Sequence, residues 1–156
     1  MPSDVRKNDP IPTSSMAHST PCELCETPGG TPIWRDASCR VVLVAEPDYP
    51  GFCRAIWNAH VREMTDLASP ERARFMEVVF AVETALRELL APEKINLASL
   101  GNVTPHLHWH IIPRFRDDPH FPNPIWGARA RGPNASTQAH ADVASALAKK
   151  LSRLEV

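Results

Sequence analysis

Three histidines alternate with apolar residues in one short stretch of the chain, where His106, His108 and His110 are separated by Leu107 and Trp109. Since successive side chains of a β-strand point to opposite faces, a strand would place the three imidazoles on one face. A helix is disfavoured, because residues two apart on a helix do not face each other. The pattern predicts a chemical site on a strand. The alternatives are a metal site and an exposed polar face that is rich in histidine.

The chemistry open to such a strand follows from imidazole. The ring has an ordinary pKa of about 6.5, so a large fraction is neutral at pH 7 and can attack phosphorus. A phosphorus–nitrogen bond breaks readily once the ring is protonated, which suits a covalent nucleotidyl intermediate that water later cleaves. Residues two apart on a strand lie about 6.6 Å apart. We therefore expect three rings in a row along an extended polyphosphate.

The stretch from residue 106 to residue 112 resembles the signature of the histidine triad (HIT) family, in which three histidines alternate with apolar residues and two apolar residues follow. The preceding Gly101-Asn102-Val103-Thr104 is similar to the family's Gly-Gln-Ser/Thr segment, and the resemblance covers roughly residues 22–116. It implies a homodimer whose two sheets join. It also implies a nucleotide hydrolase that cleaves a dinucleoside polyphosphate or a nucleoside phosphoramidate at the α-phosphate.

The resemblance further implies a role for each residue of this stretch. The middle histidine, His108, corresponds to the nucleophile. His110 is placed near the α-phosphate and the leaving group, where a protonated ring can stabilise charge or donate a proton. The backbone N–H groups of Gly101, Asn102 and Val103 are expected to donate to phosphate oxygens, because glycine allows a close approach.

Several weaker candidates surround this core. Asn102 stands where the family usually has glutamine, and its amide is a candidate contact for the bridging oxygen or the leaving group; the alternative is a turn residue. Asn96 is a second candidate for substrate binding, and Glu46 a weak one for a ribose hydroxyl. Trp126 is a candidate for covering a base, reaching across a dimer or capping the core. Phe52 follows a Pro-Gly pair where many family members have a further histidine, which leaves efficiency and substrate choice open.

Cys22 and Cys25 have the spacing of half a tetrahedral zinc site. By itself this pair is equally compatible with idle thiols or a redox couple. Some relatives in the superfamily bind zinc through such a pair together with a histidine after the hairpin and the first triad histidine, which correspond to His60 and His106. The resemblance therefore implies a structural zinc ion at these four residues. The other two cysteines are expected to be small and buried: Cys39 and Cys53.

The order of the remaining elements predicts an α+β fold with a mostly antiparallel sheet, a helix packed on it and a C-terminal helix. The resemblance implies that this sheet is HIT-like and five-stranded. Ser69 is expected to cap the long helix, which ends before Pro92. Residues 28–32 are expected to form a turn, and His18, His120 and His140 to be solvated. The predicted strands are residues 40–45, 52–57, 95–99 and 104–114, and the C-terminal helix is indicated by the spacing of Val143, Leu147, Leu151 and Leu154.

The composition of the chain predicts three segments and argues against nucleic-acid and membrane partners. We predict a flexible N-terminal arm at residues 1–21, a HIT-like domain at 22–128, and a linker with the C-terminal helix at 129–156. A net charge of −1 over 156 residues does not favour a nucleic-acid partner. The chain has no apolar run of membrane-spanning length, and no apolar stretch follows Arg6 and Lys7. We therefore expect no secretory leader, no membrane partner and a cytoplasmic location.

Two other functions compete with hydrolysis. A nucleotidyltransferase would move a nucleoside monophosphate to an acceptor other than water. That branch of the superfamily usually has glutamine at the third triad position, so His110 favours hydrolysis. A zinc-bearing interaction module without catalysis would use the histidines only as metal ligands.

Overall fold

The computed structural model describes residues 21–133 and 140–154, and an antiparallel sheet of five strands in the order β1-β2-β3-β5-β4 lies at its centre. The strands are β1 (Thr31–Arg35), β2 (Cys39–Leu43), β3 (Cys53–Trp57), β4 (Lys94–Ala98) and β5 (His108–Arg114). Three α-helices lie in the described part of the chain, α1 (Glu23–Glu26), α2 (Ser69–Leu90) and α3 (His140–Leu151), and a short 3-10 helix spans Met64–Asp66. The predicted α+β fold is confirmed.

The core lies between one face of this sheet and α2. Inward residues of the strands, such as Val41, Ala55 and Ile111, form one buried cluster with the apolar stripe of the helix. The stripe has the predicted spacing, since Phe75 and Val82 are among its fully buried members. Because side chains alternate along a strand, the residues between these inward ones must face the other side of the sheet. That second face carries the site.

The ends of α2 differ in part from expectation. The helix begins at Ser69, so Ala68 occupies the N-cap position and the predicted cap at Ser69 is wrong. The Glu71 carboxylate accepts the backbone N–H of Ala68 at 2.7 Å, which satisfies one donor of the helix start. The helix ends at Leu90, two residues before Pro92, as predicted.

The C-terminal helix α3 completes the same core. Its buried residues Val143, Leu147 and Leu151 pack with α2 and β1, while Leu154 lies just beyond the helix end and packs against this cluster.

The edge strand β1 was not predicted from the sequence. Residues 28–32 were expected to form a turn, but the strand begins at Thr31, so this prediction is wrong for its last two residues. Pro32 is tolerated in β1 because an edge strand has one side without a hydrogen-bonded neighbour.

Some expectations fall outside the described residues. Residues 1–20 of the predicted arm, including His18, and the side chain of His140 are among them. Within the described ranges, none of the helices is both long and apolar enough to cross a membrane.

A buried ion pair fixes the chain just after β5. The side chains of Arg114 and Asp118 are each 2% exposed, and the Arg114 Nε–H donates to the Asp118 carboxylate at 2.7 Å. Burial alone would raise the pKa of Asp118, but this guanidinium and the N–H groups of His120 and Phe121 hold the pKa below its usual value. His120 was expected to be solvated; it is buried and hydrogen-bonds Tyr49, which is a correction.

Replacing Asp118 by Ala is expected to lower the free energy of unfolding by about 3–5 kcal/mol at pH 7, because Arg114 would remain buried without its partner. Because the pKa of Asp118 is lower in the folded state, the stabilisation by this pair depends on pH. It is fully present above the unfolded carboxyl pKa of about 3.9 and is lost as the pH falls through the lower folded pKa. Urea unfolding of Asp118→Ala beside the exposed-neighbour control Asp117→Asn measures this. Equal stability of the two variants would contradict it.

Candidate functional site

The site lies on the face of the sheet opposite the α2 core. The strand register places His110 opposite Arg54 of β3 on one side and Ala98 of β4 on the other, and His108 opposite Ile56. Paired residues of neighbouring strands point to the same face. Trp109 and Ile111 point into the core. The two histidines therefore lie on the opposite face of the sheet, as the sequence predicts.

His108 and His110 form a pair of imidazoles at the centre of this face. The Nδ1–H of His108 donates to the backbone carbonyl of His106 at 2.6 Å, because a carbonyl oxygen can only accept. The Nε2 atom of a neutral His108 ring therefore keeps its lone pair, and it lies 3.1 Å from Nε2 of His110. The arrangement fixes both the orientation and the tautomer of His108, which is what a nitrogen nucleophile requires.

The predicted row of three rings is a pair in the structure. The strand β5 starts at His108, and not at residue 104 as predicted, so the imidazole of His106 leaves the row. Its Nε2–H donates to the carbonyl of Trp57 at 2.7 Å, and its Nδ1 faces the cysteines. The ring centroids of His108 and His110 are 4.7 Å apart, which is closer than the strand spacing alone suggests.

Burial disfavours the protonated form of both rings of the pair. Burial, together with the neighbouring His108 and Arg54, lowers the pKa of His110 to about 3. Burial also lowers the pKa of His108, opposed by the hydrogen bond to His106. The Nδ1 atom of His110 is buried and has no hydrogen-bond partner among the described residues. The neutral forms of both rings are therefore favoured, and the Nδ1–H bond of His108 leaves the lone pair of that ring at Nε2.

A cleft of about 460 Å³ opens over this pair. One side is the link between β4 and β5, which contributes Leu100, Gly101, Asn102, Val103 and Thr104. Gly101 has φ of +69°, a left-handed conformation that glycine adopts without strain. The link thus lies beside the histidine pair, where the sequence predicts phosphate contacts from its N–H groups.

The other weaker candidates separate into two groups. Trp126 is half-exposed, lines the cleft, and places its ring centroid 5.1 Å from that of His110. Phe52 is buried, with its ring 5.6 Å from His110, so an apolar contact stands where many family members have a histidine. Asn96 is outside the cleft lining: its Oδ1 accepts a hydrogen bond from Arg114 at 2.7 Å. Glu46 is exposed and also outside the lining.

Four predicted metal ligands converge beside the site. Cys22 and Cys25 flank the start of α1, His60 follows β3, and His106 precedes β5. Their ligand atoms all lie within 4.8 Å of one another. The two sulfurs lie 3.4 and 3.5 Å from Nδ1 of His106, and Sγ of Cys25 lies 3.3 Å from Nδ1 of His60. This group of four can hold a metal ion.

The spacing fits a tetrahedral thiolate–imidazole site. Zinc–sulfur bonds of about 2.3 Å and zinc–nitrogen bonds of about 2.0–2.1 Å place neighbouring ligand atoms about 3.5 Å apart. The hydrogen bond from His106 Nε2–H to Trp57 leaves its Nδ1 lone pair for the metal, as an outer partner of a metal ligand does. The donor set and the orientation of His106 therefore both suit zinc.

Two elements of the cleft escaped the sequence analysis. The first is Arg54, which lines the cleft beside the histidine pair. Arg54 lies two residues before Ile56 on a predicted strand, so the sequence places both on the same face of the sheet. Only the pairing of β3 with β5 shows that Arg54 lies opposite His110. The second is the turn of helix α1, whose Glu23 and Leu24 line the cleft. Nothing in its four-residue sequence marks it as a helix.

The HIT domain family model matches residues 30–117. No curated protein matches the chain. A histidine triad protein from Bradyrhizobium japonicum is 30% identical, with 79% of this chain and 91% of that chain covered and a TM-score of 0.67. One from Sinorhizobium meliloti is 28% identical, covers 85% and 96%, and has a TM-score of 0.69.

A more distant structure shares the fold. It is a zinc-bound histidine triad family protein from Mycobacterium smegmatis, with 22% identity, 80% of this chain and 86% of that chain covered, and a TM-score of 0.57.

Proposed function

Because the chain belongs to the HIT domain family, we propose that it is a nucleotide hydrolase that cleaves its substrate at the α-phosphate through a nucleotidyl intermediate on His108. Members of this family are typically nucleotide hydrolases or transferases. The observation that carries the proposal is the hydrogen bond from His108 Nδ1 to the His106 carbonyl, which leaves Nε2 as a lone-pair nitrogen in the cleft. The substrate classes are a dinucleoside polyphosphate and a nucleoside phosphoramidate.

The first step forms a phosphorus–nitrogen bond. Nε2 of His108 attacks the α-phosphorus, and the bond from phosphorus to the leaving group breaks. The ring keeps its Nδ1 proton and becomes positively charged, and the His106 carbonyl stabilises that charge. His110, 3.1 Å away, is next to the reacting atoms. The phosphate anion favours the protonated form of His110, which can donate a proton to the leaving group.

The second step returns the enzyme to its starting state. Water attacks the phosphorus and gives a proton back to His110, the phosphorus–nitrogen bond breaks, and a nucleoside monophosphate leaves while His108 regains its lone pair. The N–H groups of Gly101, Asn102 and Val103 donate to the phosphate oxygens in both steps. The amide of Asn102 contacts the leaving group. Asn96 stays a weaker candidate for substrate binding, because its Oδ1 accepts a hydrogen bond from Arg114 outside the cleft.

We also propose that Cys22, Cys25, His60 and His106 bind a structural zinc ion. Support comes from the spacing of the four ligand atoms and from the zinc bound to the M. smegmatis protein of the same fold. Four protein ligands leave no open coordination position, so the metal would hold α1 and His106 in place and take no part in the chemistry. A homodimer, which the family resemblance implies, and a cytoplasmic location, which the composition predicts, complete the proposal.

Hydrolysis in ¹⁸O-labelled water tests this function. The wild-type protein is expected to release a nucleoside monophosphate that carries one ¹⁸O atom, because water attacks the α-phosphorus of the intermediate. A panel of dinucleoside polyphosphates and nucleoside phosphoramidates is incubated with the protein, and the products are analysed by mass spectrometry. Label found only in the leaving group would contradict attack at the α-phosphate.

Added acceptors in the same assay separate a transferase from a hydrolase. A hydrolase is expected to give the free monophosphate as its main product in the presence of alcohol, amine or phosphate acceptors. A main product in which the nucleotidyl group is joined to an acceptor would identify a transferase. Absence of any turnover, with nucleotide binding that follows the zinc content, would favour the interaction module.

A further inference from the structure

We propose that Arg54 binds a phosphate of the substrate beyond the one that His108 attacks, and that it thereby makes the site selective for nucleotides with a phosphate chain over nucleoside phosphoramidates. This inference rests on the proposed function, and it assigns a specificity role to a residue outside the histidine signature.

The position of Arg54 places its side chain across the cleft from the phosphate-binding link. It lies on β3, directly opposite His110 of β5. The link of residues 100–104 joins β4 to β5 on the far side of the histidine pair. The other wall, near Arg54, is formed by Glu23 and Leu24 of α1. An α-phosphate held between the link and His108 would therefore extend its chain toward Arg54.

The guanidinium of Arg54 has donors to spare. Nη1 donates to the carbonyl of Gly29 at 3.3 Å, which tethers one end of the group. Nε is buried and has no hydrogen-bond partner among the described residues. A buried donor without a partner costs free energy unless a ligand satisfies it. Within the part of the chain that the structure describes, no ion pair neutralises Arg54 either.

Charge in the cleft points to the same ligand. Among the described residues that line it, Arg54 is the one with a permanent positive charge, and Glu23 is the one acidic residue. A phosphate chain gains a negative charge with each phosphate, and arginine binds phosphate through two parallel N–H groups. A phosphoramidate has one phosphate and a leaving amine, so it offers no second anionic group to Arg54.

Binding measurements test this without requiring turnover. Wild-type protein, Arg54→Met and Arg54→Lys are titrated calorimetrically with a nucleoside monophosphate and with the α,β-methylene diphosphate of the same nucleoside, which resists cleavage. The wild type is expected to bind the diphosphate about tenfold or more tightly than the monophosphate. In Arg54→Met this preference should vanish with the monophosphate affinity retained, and Arg54→Lys should keep part of it. The charge-matched control is Arg116→Met, which removes an exposed arginine paired with Glu93 and should behave as wild type.

Kinetics give the second readout. Arg54→Met is expected to lower kcat/KM for a dinucleoside polyphosphate by about tenfold or more and to leave kcat/KM for a phosphoramidate near the wild-type value. Equal losses for both substrates, or an unchanged diphosphate preference in folded Arg54→Met, would overturn the inference. If the wild type turns over neither substrate yet shows the Arg54-dependent diphosphate preference, the hydrolase proposal fails and the role of Arg54 stands.

Discussion

The His108→Ala protein is expected to lose nucleotide turnover by a factor on the order of 10³ or more, because no other group in the cleft can form the nucleotidyl intermediate. His110 cannot take over the attack. Its ring lacks the fixed Nδ1 donor bond that sets the tautomer of His108, and its own Nδ1 has no partner among the described residues. The loss should fall on kcat, since removing one ring leaves the link of residues 101–103 and the cleft walls to bind substrate.

Rapid acid-free quenching of a reaction with substrate labelled in the α-phosphate measures the intermediate directly. Wild-type protein should retain label that is released by mild acid, as expected for a phosphorus–nitrogen bond. His108→Ala should retain none. His110→Ala should still acquire label, more slowly, because its nucleophile is intact. Label retained by His108→Ala, or full turnover by that variant, would remove His108 from the mechanism.

Chemical rescue separates chemistry from folding in the same experiment. Imidazole added to a His108→Gly protein can occupy the vacated space and attack in place of the missing ring. Partial recovery of turnover that depends on imidazole concentration is expected, together with unchanged nucleotide affinity. A variant that neither binds nucleotide nor unfolds cooperatively has lost its fold, and His108→Asn, which fills more of the space, then serves as the test.

Strand β5 and the residues before it show which features of the site can be predicted from the local sequence pattern. Alternation alone placed His108 and His110 on one face and Trp109 in the opposite direction, because it depends only on the geometry of a strand. The same rule failed for His106, whose ring hydrogen-bonds Trp57 and faces Cys22, a residue 84 positions earlier. Contacts of that separation depend on how the whole sheet is assembled. The family resemblance supplied the metal cluster where periodicity could not.

The placement of Arg54 and of His120 could not be predicted from the local sequence. A charged residue in a strand is ordinarily solvated, and only the β3–β5 register shows that Arg54 shares a face with His110. His120 lies in a loop rich in proline and aspartate, where exposure is the usual expectation. It is buried because Asp118 and Arg114 draw the loop onto the sheet, and its backbone N–H donates to Asp118 at 2.9 Å. The position of Arg54 depends on the pairing of distant strands, and the burial of His120 depends on a nearby ion pair and on its contact with the distant Tyr49.

Zinc removal is the second prediction with a large expected effect. Purified wild-type protein should contain about one zinc ion per chain. The Cys22→Ser, Cys25→Ser double variant should contain none, because serine hydroxyls are poor zinc ligands at neutral pH. Its free energy of unfolding should fall by more than about 4 kcal/mol, the range in which loss of a metal site lies, and its Tm by roughly 10 °C for a domain of this size. Elemental analysis and thermal unfolding measure the two quantities.

A matched cysteine variant controls for the loss of a thiol. Cys53 is fully buried on the core face of β3, outside the metal cluster. Cys53→Ala should keep its zinc and lose only about 1 kcal/mol of stability, the usual cost of a small cavity. Zinc retained by the double variant, or absent from wild-type protein grown with ample metal, would contradict the site.

The double variant should also lose part of its activity, and the reason is geometric. The ring of His106 faces the cluster while its carbonyl accepts the Nδ1–H of His108, so one residue joins the metal to the nucleophile. Without the metal, the ring of His106 is held only by its bond to Trp57, so the His106 carbonyl holds His108 less firmly. Turnover should fall by less than in His108→Ala, since the nucleophile is still present, and a fall as deep as in that variant would show that the metal takes part in the chemistry itself.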